Sequence, residues 1–356
     1  MLSLAALGLL YLLHLGRSFL VPLVFAFFVW YLVNTLAGFL GRIPLGRRRF
    51  PAPLAFTGAL AAIAALVFLF VRVVASNVSA VAASAPAYQR NLERLVARIS
   101  AALPVEQPPT LQALAAMVDF GKAAKVLALE LTEFTGQGLI VLLYLAFIFL
   151  EQRSFATKLA ALTKDPGRRQ EARAMIARID SDIRIYIGIK TSSSLATALL
   201  AYLIFRAVGL DFASFWALLV FILNFVPTIG SIAATALPAL LALLQFESPV
   251  PFLAVAIGLT AVQQAFGNFI EPRFLGNRLN LSPLVILLSL ALWGKVWGVA
   301  GMFLCVPMTS VAVIILSSFP QTRPLAVLLS RRGRIDRGDR PGPDDRQTAP
   351  QTTSTT

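Results

Sequence analysis

Residues 223–307 constrain this chain more than any other stretch. Long apolar runs there are cut at intervals by Pro, Gly and Asn, and by one charged knot formed by Glu271, Pro272 and Arg273. In lipid an unsatisfied backbone polar group is costly, so a broken helix survives only where protein or a wet cavity shelters it. Breaks at membrane depth are the usual mark of a permeation or substrate site. The pattern predicts a polytopic membrane protein that moves something.

Composition agrees. Hydrophobic residues make up 58% of the 356 and charged residues 13%, where a soluble globular chain carries roughly 25% charged residues. Mean hydropathy is +0.77. The net charge of +14 does not point to nucleic acid, because the basic residues sit between apolar runs and in the tail, without a basic stripe interleaved with aromatics. His14 is the single histidine and Cys305 the single cysteine. A Cys/His metal cluster and an internal disulfide are both excluded. His14 reads as a polar residue near a helix end or in a helix contact. Ser/His/Asp sets and phosphate loops are missing, so neither an enzyme nor a cofactor is expected.

The expected fold is all-α: a polytopic transmembrane helical bundle with broken or re-entrant helices and an extramembrane amphipathic helical region. Residues 1–75 hold three apolar segments, at 2–15, 19–40 and 54–74, the first read as a retained span. Residues 76–130 form the extramembrane region, where Leu92, Leu95, Val96, Ile99 and Leu103 recur at helical spacing. Pro104, Pro108 and Pro109 end that helix, and a second helical stretch is expected over 111–126. Residues 131–319 form the C-terminal transmembrane bundle, and 320–356 a disordered cytoplasmic tail. Asp165 and Pro166 read as an N-cap and first-turn proline, and an apolar face at Ala172, Met175, Ile176, Ile179 and Ile183 precedes a span over 185–208. The 42–49 link, the 151–184 segment with its eight Lys or Arg, and the tail carry most of the basic excess. All three, and both termini, are therefore expected on the cytoplasmic side of a bacterial inner membrane.

Several residues are candidates for the transport pathway or its gating. Asn224, Pro227 and Gly230 interrupt the apolar block over 212–246. They read either as two half-helices lining a route or as a proline kink in a packed helix. Gln264 and Asn268 share a helix face, with Gln263 alongside. They either bridge helices or line a polar path. Glu271 and Arg273 are opposite charges close together at one membrane edge, followed by a turn at Gly276. Glu271 is the candidate coupling carboxylate and Arg273 its partner or an anion contact. Residues 283–294 cover only about 18 Å of helix, against a hydrocarbon core of roughly 30 Å. The block over 283–319 therefore reads as a two-helix hairpin with a re-entrant first arm, its gate residues Pro283, Gly298, Gly301 and Pro307.

These motifs resemble the AI-2E transporter family, also described as PerM-like permeases. The likeness rests on FVPTIG at 225–230, EPRFLGNRLNLSPLVILLSL at 271–290 and WGVAGMFLCVP at 297–307. It covers roughly residues 1–320 and departs at Thr228, where many members carry an aromatic residue. The resemblance implies export or permeation of a small polar solute such as autoinducer-2. It also implies, as alternatives, antiport of a monovalent cation (Na⁺ or Li⁺) against protons, and oligomers of identical subunits among membrane lipids. A third reading is an oligomeric membrane scaffold without flux.

Overall fold

The apolar runs among the described residues form helices, because only helices and closed barrels satisfy the backbone in lipid. The computed structural model describes residues 2–42, 44–45, 48–49, 51–102, 137–152, 154–155, 157–158, 165–246, 248–275, 280–331 and 333. The expected helix over 111–126, Gly276 and the tail from 334 onward lie outside these residues.

The first two apolar segments are α1 (Leu2–Leu15) and α2 (Arg17–Leu40), joined by Gly16 alone. At 14 residues, α1 is about 21 Å long, short of the hydrocarbon core. A two-residue antiparallel pair, β1 (Pro44–Leu45) with β2 (Arg48–Arg49), closes the basic link. Then α3 runs unbroken over Ala52–Ala102. The amphipathic helix expected after residue 76 is therefore the continuation of the third apolar segment, not a separate element. Between 75 and 85 the chain carries Ala, Ser, Asn and Val without Gly or Pro, so nothing stops the helix where polarity rises. Pro86 sits inside it.

Helix α4 (Gln137–Gln152) returns toward the basic segment. Asp165 then caps α5 (Pro166–Val208), accepting a hydrogen bond from the Gly167 N–H at 2.8 Å, with Pro166 in the first turn. As in α3, the amphipathic half and the span form one helix of 43 residues, about 64 Å long. It ends at Gly209 with φ +78°, a left-handed C-cap that favours glycine.

Two hairpins follow. The first joins α6 (Ala213–Leu223) to α7 (Ile229–Phe246). Its ends lie side by side: Gln245 donates to the Gly209 carbonyl at 3.0 Å and accepts from the Asp211 N–H at 2.8 Å. The chain therefore enters and leaves on the same side. Helix α8 (Pro249–Gln264) passes through a π-helical turn (Ala265–Ile270) into the short α9 (Glu271–Leu275).

The second hairpin is α10 (Pro283–Ser318), which reverses at Gly298 (φ +63°, ψ −142°), a region open to glycine. Trp293 Nε1 donates to Thr309 Oγ1 at 3.1 Å across 16 residues; in an uninterrupted helix these residues would stand about 24 Å apart. At the base, Ser282 N–H donates to the Leu329 carbonyl at 3.2 Å and Arg331 N–H to that of Asn280 at 2.9 Å. The hairpin expected over 283–319 is thus present, with a first arm of about 22 Å that falls short of the core thickness. Ser282 takes the extended N-cap conformation but its hydroxyl caps nothing. The start of the expected tail is ordered: α11 (Arg323–Leu329) buries Ala326 fully, because RPLAVLL is still apolar.

The bases of the two hairpins sit at opposite ends of the apolar half of α5. One is tied to Gly209, and the other shares a buried cluster with Ile183 and Tyr186. Their inner ends meet, with Phe225 stacked on Phe303 at 4.7 Å and Phe28 of α2 edge-on to both. Six helices among the described residues are long and apolar enough to cross a membrane. Their outer faces carry exposed side chains such as Phe68, Leu142 and Ile257, which suits a lipid boundary.

Candidate transport site

A row of polar side chains runs along α5 through its apolar half. Lys190, Ser193, Ser194 and Thr197 stand at i, i+3, i+4 and i+7, one face of a helix. Ser194 and Thr197 are fully buried and Ser193 nearly so. The first hairpin and α9 each contribute one partner to this row.

From the first hairpin comes Asn224, 4% exposed. Its side-chain amide donates to Ser194 Oγ at 3.1 Å. The break that presents it is tightly turned. Thr228 takes φ +59°, and Ile229 N–H donates to the Pro227 carbonyl at 2.6 Å. Gly230 is buried with no room for a side chain, since a Cβ there would lie 1.8 Å from the Leu223 carbonyl oxygen. The interruption is a chain break between two half-helices, not a kink in one.

From the far end of α8 comes Glu271. Lys190 Nζ reaches both carboxylate oxygens at 2.8 and 3.0 Å, and Ser193 donates to Oε1 at 2.7 Å. The Lys190 and Glu271 side chains are 12% and 13% exposed. Arg273 was expected as the partner of Glu271 or as an anion contact; the structure gives the partner's place to Lys190. Arg273 lies two residues on, and a helix turns neighbours at that spacing to different faces. It is exposed and makes no ion pair among the described residues. Removing one partner of such a pair leaves the other charge buried and uncompensated, at a cost of about 3–5 kcal/mol.

Adjacent residues therefore tie two elements to α5: Ser193 holds Glu271 of α9, and Ser194 holds Asn224 of the first hairpin. The Thr197 hydroxyl, one turn further on, is buried with no hydrogen-bond partner among the described residues. Gln264 and Asn268 do not join this row. They bond to each other on an exposed face of α8 and the π-helical turn, while the amide nitrogen of Gln263 is buried without a partner among the described residues. A π turn is often found at functional sites, and here it directly precedes Glu271.

The gate residues expected in the last block fall within the second hairpin. Pro283 starts the first arm, Gly298 makes the reversal, and Pro307 is buried in the return arm. Gly301 repeats the device of Gly230: a Cβ there would lie 1.9 Å from the Trp293 carbonyl oxygen. The end of α1 covers the tip. Trp297 Nε1 donates to the Leu13 carbonyl at 2.9 Å and His14 Nδ1 to that of Val296 at 3.0 Å, so His14 serves a helix contact. Among the described residues no group of three His, Cys, Asp or Glu side chains is placed to hold a metal ion.

Lys190, Ser193, Ser194 and Thr197 were not singled out from sequence. The signal was present: a lysine within an apolar span is expensive and calls for a carboxylate.

Comparison with known proteins places the chain in a family. The profile of the AI-2E family transporter matches residues 2–321. The AI-2 transport protein TqsA of Escherichia coli is 31% identical over 338 residues, covering 91% of this chain and 94% of that protein. A putative transport protein of Haemophilus influenzae is 30% identical over 322 residues, covering 88% and 91%. The putative transport protein YhhT of Escherichia coli is 28% identical, covering 89% of each chain. With that profile spanning both hairpins and the α5 row, and a relative 31% identical over 91% of the chain, the chain belongs to the AI-2E family of transporters.

Proposed function

We propose that this chain carries a small polar solute across a bacterial inner membrane, along the α5 row between the two hairpins. One observation carries the reading: hydroxyl, amide and charged groups from α5, the 224–228 break and α9 meet in the interior of an otherwise apolar bundle. Buried polar groups in a membrane protein are costly unless function retains them. The similarity to a protein named for AI-2 transport makes autoinducer-2 the first solute to test. Opposed broken helices suit access from alternate sides.

The face carrying the 42–49 link and the 151–184 segment is assigned to the cytoplasm by its basic excess. The exposed Gln264 and Asn268 pair supports contact with a second copy of the chain, since each amide keeps further donors and acceptors beyond their mutual bond. The test is efflux from proteoliposomes loaded with autoinducer-2 or a related small sugar, with Glu271→Gln alongside. Efflux with the native chain, lost in the variant, supports the reading. Silence with every solute, from a monodisperse protein, points to a scaffold.

A further inference from the structure

Lys190 is the counter-charge that Glu271 meets in the bundle interior. Its ammonium touches both carboxylate oxygens, and the Ser193 hydroxyl adds a third contact. Both charged side chains are almost nine-tenths buried. A buried carboxylate requires compensation, and here the chain itself supplies it. Without Lys190, Glu271 and Ser193 would present a carboxylate and a hydroxyl oxygen, the hard oxygen donors that small cations prefer.

We propose that Lys190 is the residue that sets charge specificity at this site, a built-in counter-cation that excludes free Na⁺ or Li⁺. The native site is then indifferent to cation identity, and removing Lys190 turns it into a binding site for a monovalent cation. The consequence for cargo deepens the solute-transport reading and rests on it. The binding claim is read without flux, so its failure is distinguishable from failure of that reading.

The test is thermal unfolding of the purified full chain in detergent, titrated with NaCl or LiCl against choline chloride at constant ionic strength. The native chain should show no cation-specific shift. Lys190→Met should gain a saturable upward shift of about 2–5 °C in Na⁺ or Li⁺, and Lys190→Met with Glu271→Gln should lose it. Lys190→Arg, which keeps the charge, should behave as the native chain does. A saturable Na⁺ or Li⁺ shift in the native chain overturns the proposal, whatever the variants do. So does a folded Lys190→Met protein that responds to neither cation. Should Lys190→Met fail to fold in every salt, Lys190→Gln is judged on the same criterion.

Discussion

Asn224 donates its side-chain amide to Ser194 Oγ at 3.1 Å, and both residues are buried in the apolar bundle. This bond ties the broken end of the first hairpin to α5. Replacing Asn224 by Ala leaves Ser194 without that partner, and Asn224→Asp would bury a new charge there. We expect Asn224→Ala to cost about 1–2 kcal/mol and to slow solute flux several-fold. Asn224→Asp should do worse on both counts. Unfolding midpoints and initial efflux rates from proteoliposomes check this.

Gly230 and Gly301 each allow a return arm to pack on the carbonyl of the arm before it. A methyl group at either position meets backbone, which cannot swing aside. Gly230→Ala and Gly301→Ala are each expected to destabilise by about 1–3 kcal/mol or more. Gly38→Ala, whose added Cβ meets nothing within 4 Å, should be neutral or stabilising by up to about 1 kcal/mol. Monodisperse yield and unfolding midpoint separate the two cases.

The amphipathic half of α3 grips the base of the first hairpin. Tyr88 OH donates to Asp211 at 2.8 Å, and Asn91 donates to the Leu244 carbonyl at 2.9 Å. Burial, then the bond to Asp211 and its charge, raise the Tyr88 ionisation above the ordinary value of 10.0. A raised folded value means the contribution is complete below the unfolded value and is lost as pH rises through the folded one. Tyr88→Phe should therefore lower stability by about 1–3 kcal/mol throughout the neutral range. The gap from the native chain should close only in alkaline solution above pH 10. Urea or heat titrations at a series of pH values read the difference.

Glu271 and Arg273 differ sharply in surroundings despite lying two residues apart. Glu271→Gln removes a charge that Lys190 and Ser193 hold, while Arg273→Ala removes an exposed side chain. The first should abolish or strongly reduce flux and lower stability by about 3 kcal/mol or more. The second should change stability by less than about 0.5 kcal/mol. Parallel flux and melting curves decide.

The hairpins were legible from sequence because length and glycine spoke together. Residues 283–294 are too few to cross, and Gly298 follows within one turn. Pro227 and Gly230 likewise marked a break that the structure contains. Helix continuity was not legible at α3 or α5, because a rise in polarity marks where the bilayer ends, not where a helix ends. The site was half legible. Asn224 and Glu271 announced themselves as polar groups beside Pro and Gly. Ser193, Ser194 and Thr197 did not, since hydroxyls are common in membrane helices and only their shared face with Lys190 gives them away. The choice of Arg273 as partner to Glu271 followed nearness in sequence, whereas the pairing with Lys190 is set by how α5 packs on α9.

The most direct measurement concerns Ser194, fully buried in this structure, where the first hairpin meets α5. In a Cys305→Ala background, which removes the single native cysteine, Ser194→Cys is placed in proteoliposomes and exposed to a small water-soluble thiol reagent. If the α5 row is the route, labelling should be slow at rest, accelerate during solute turnover and stop flux once complete. Continued flux with the position unlabelled during turnover would contradict the account.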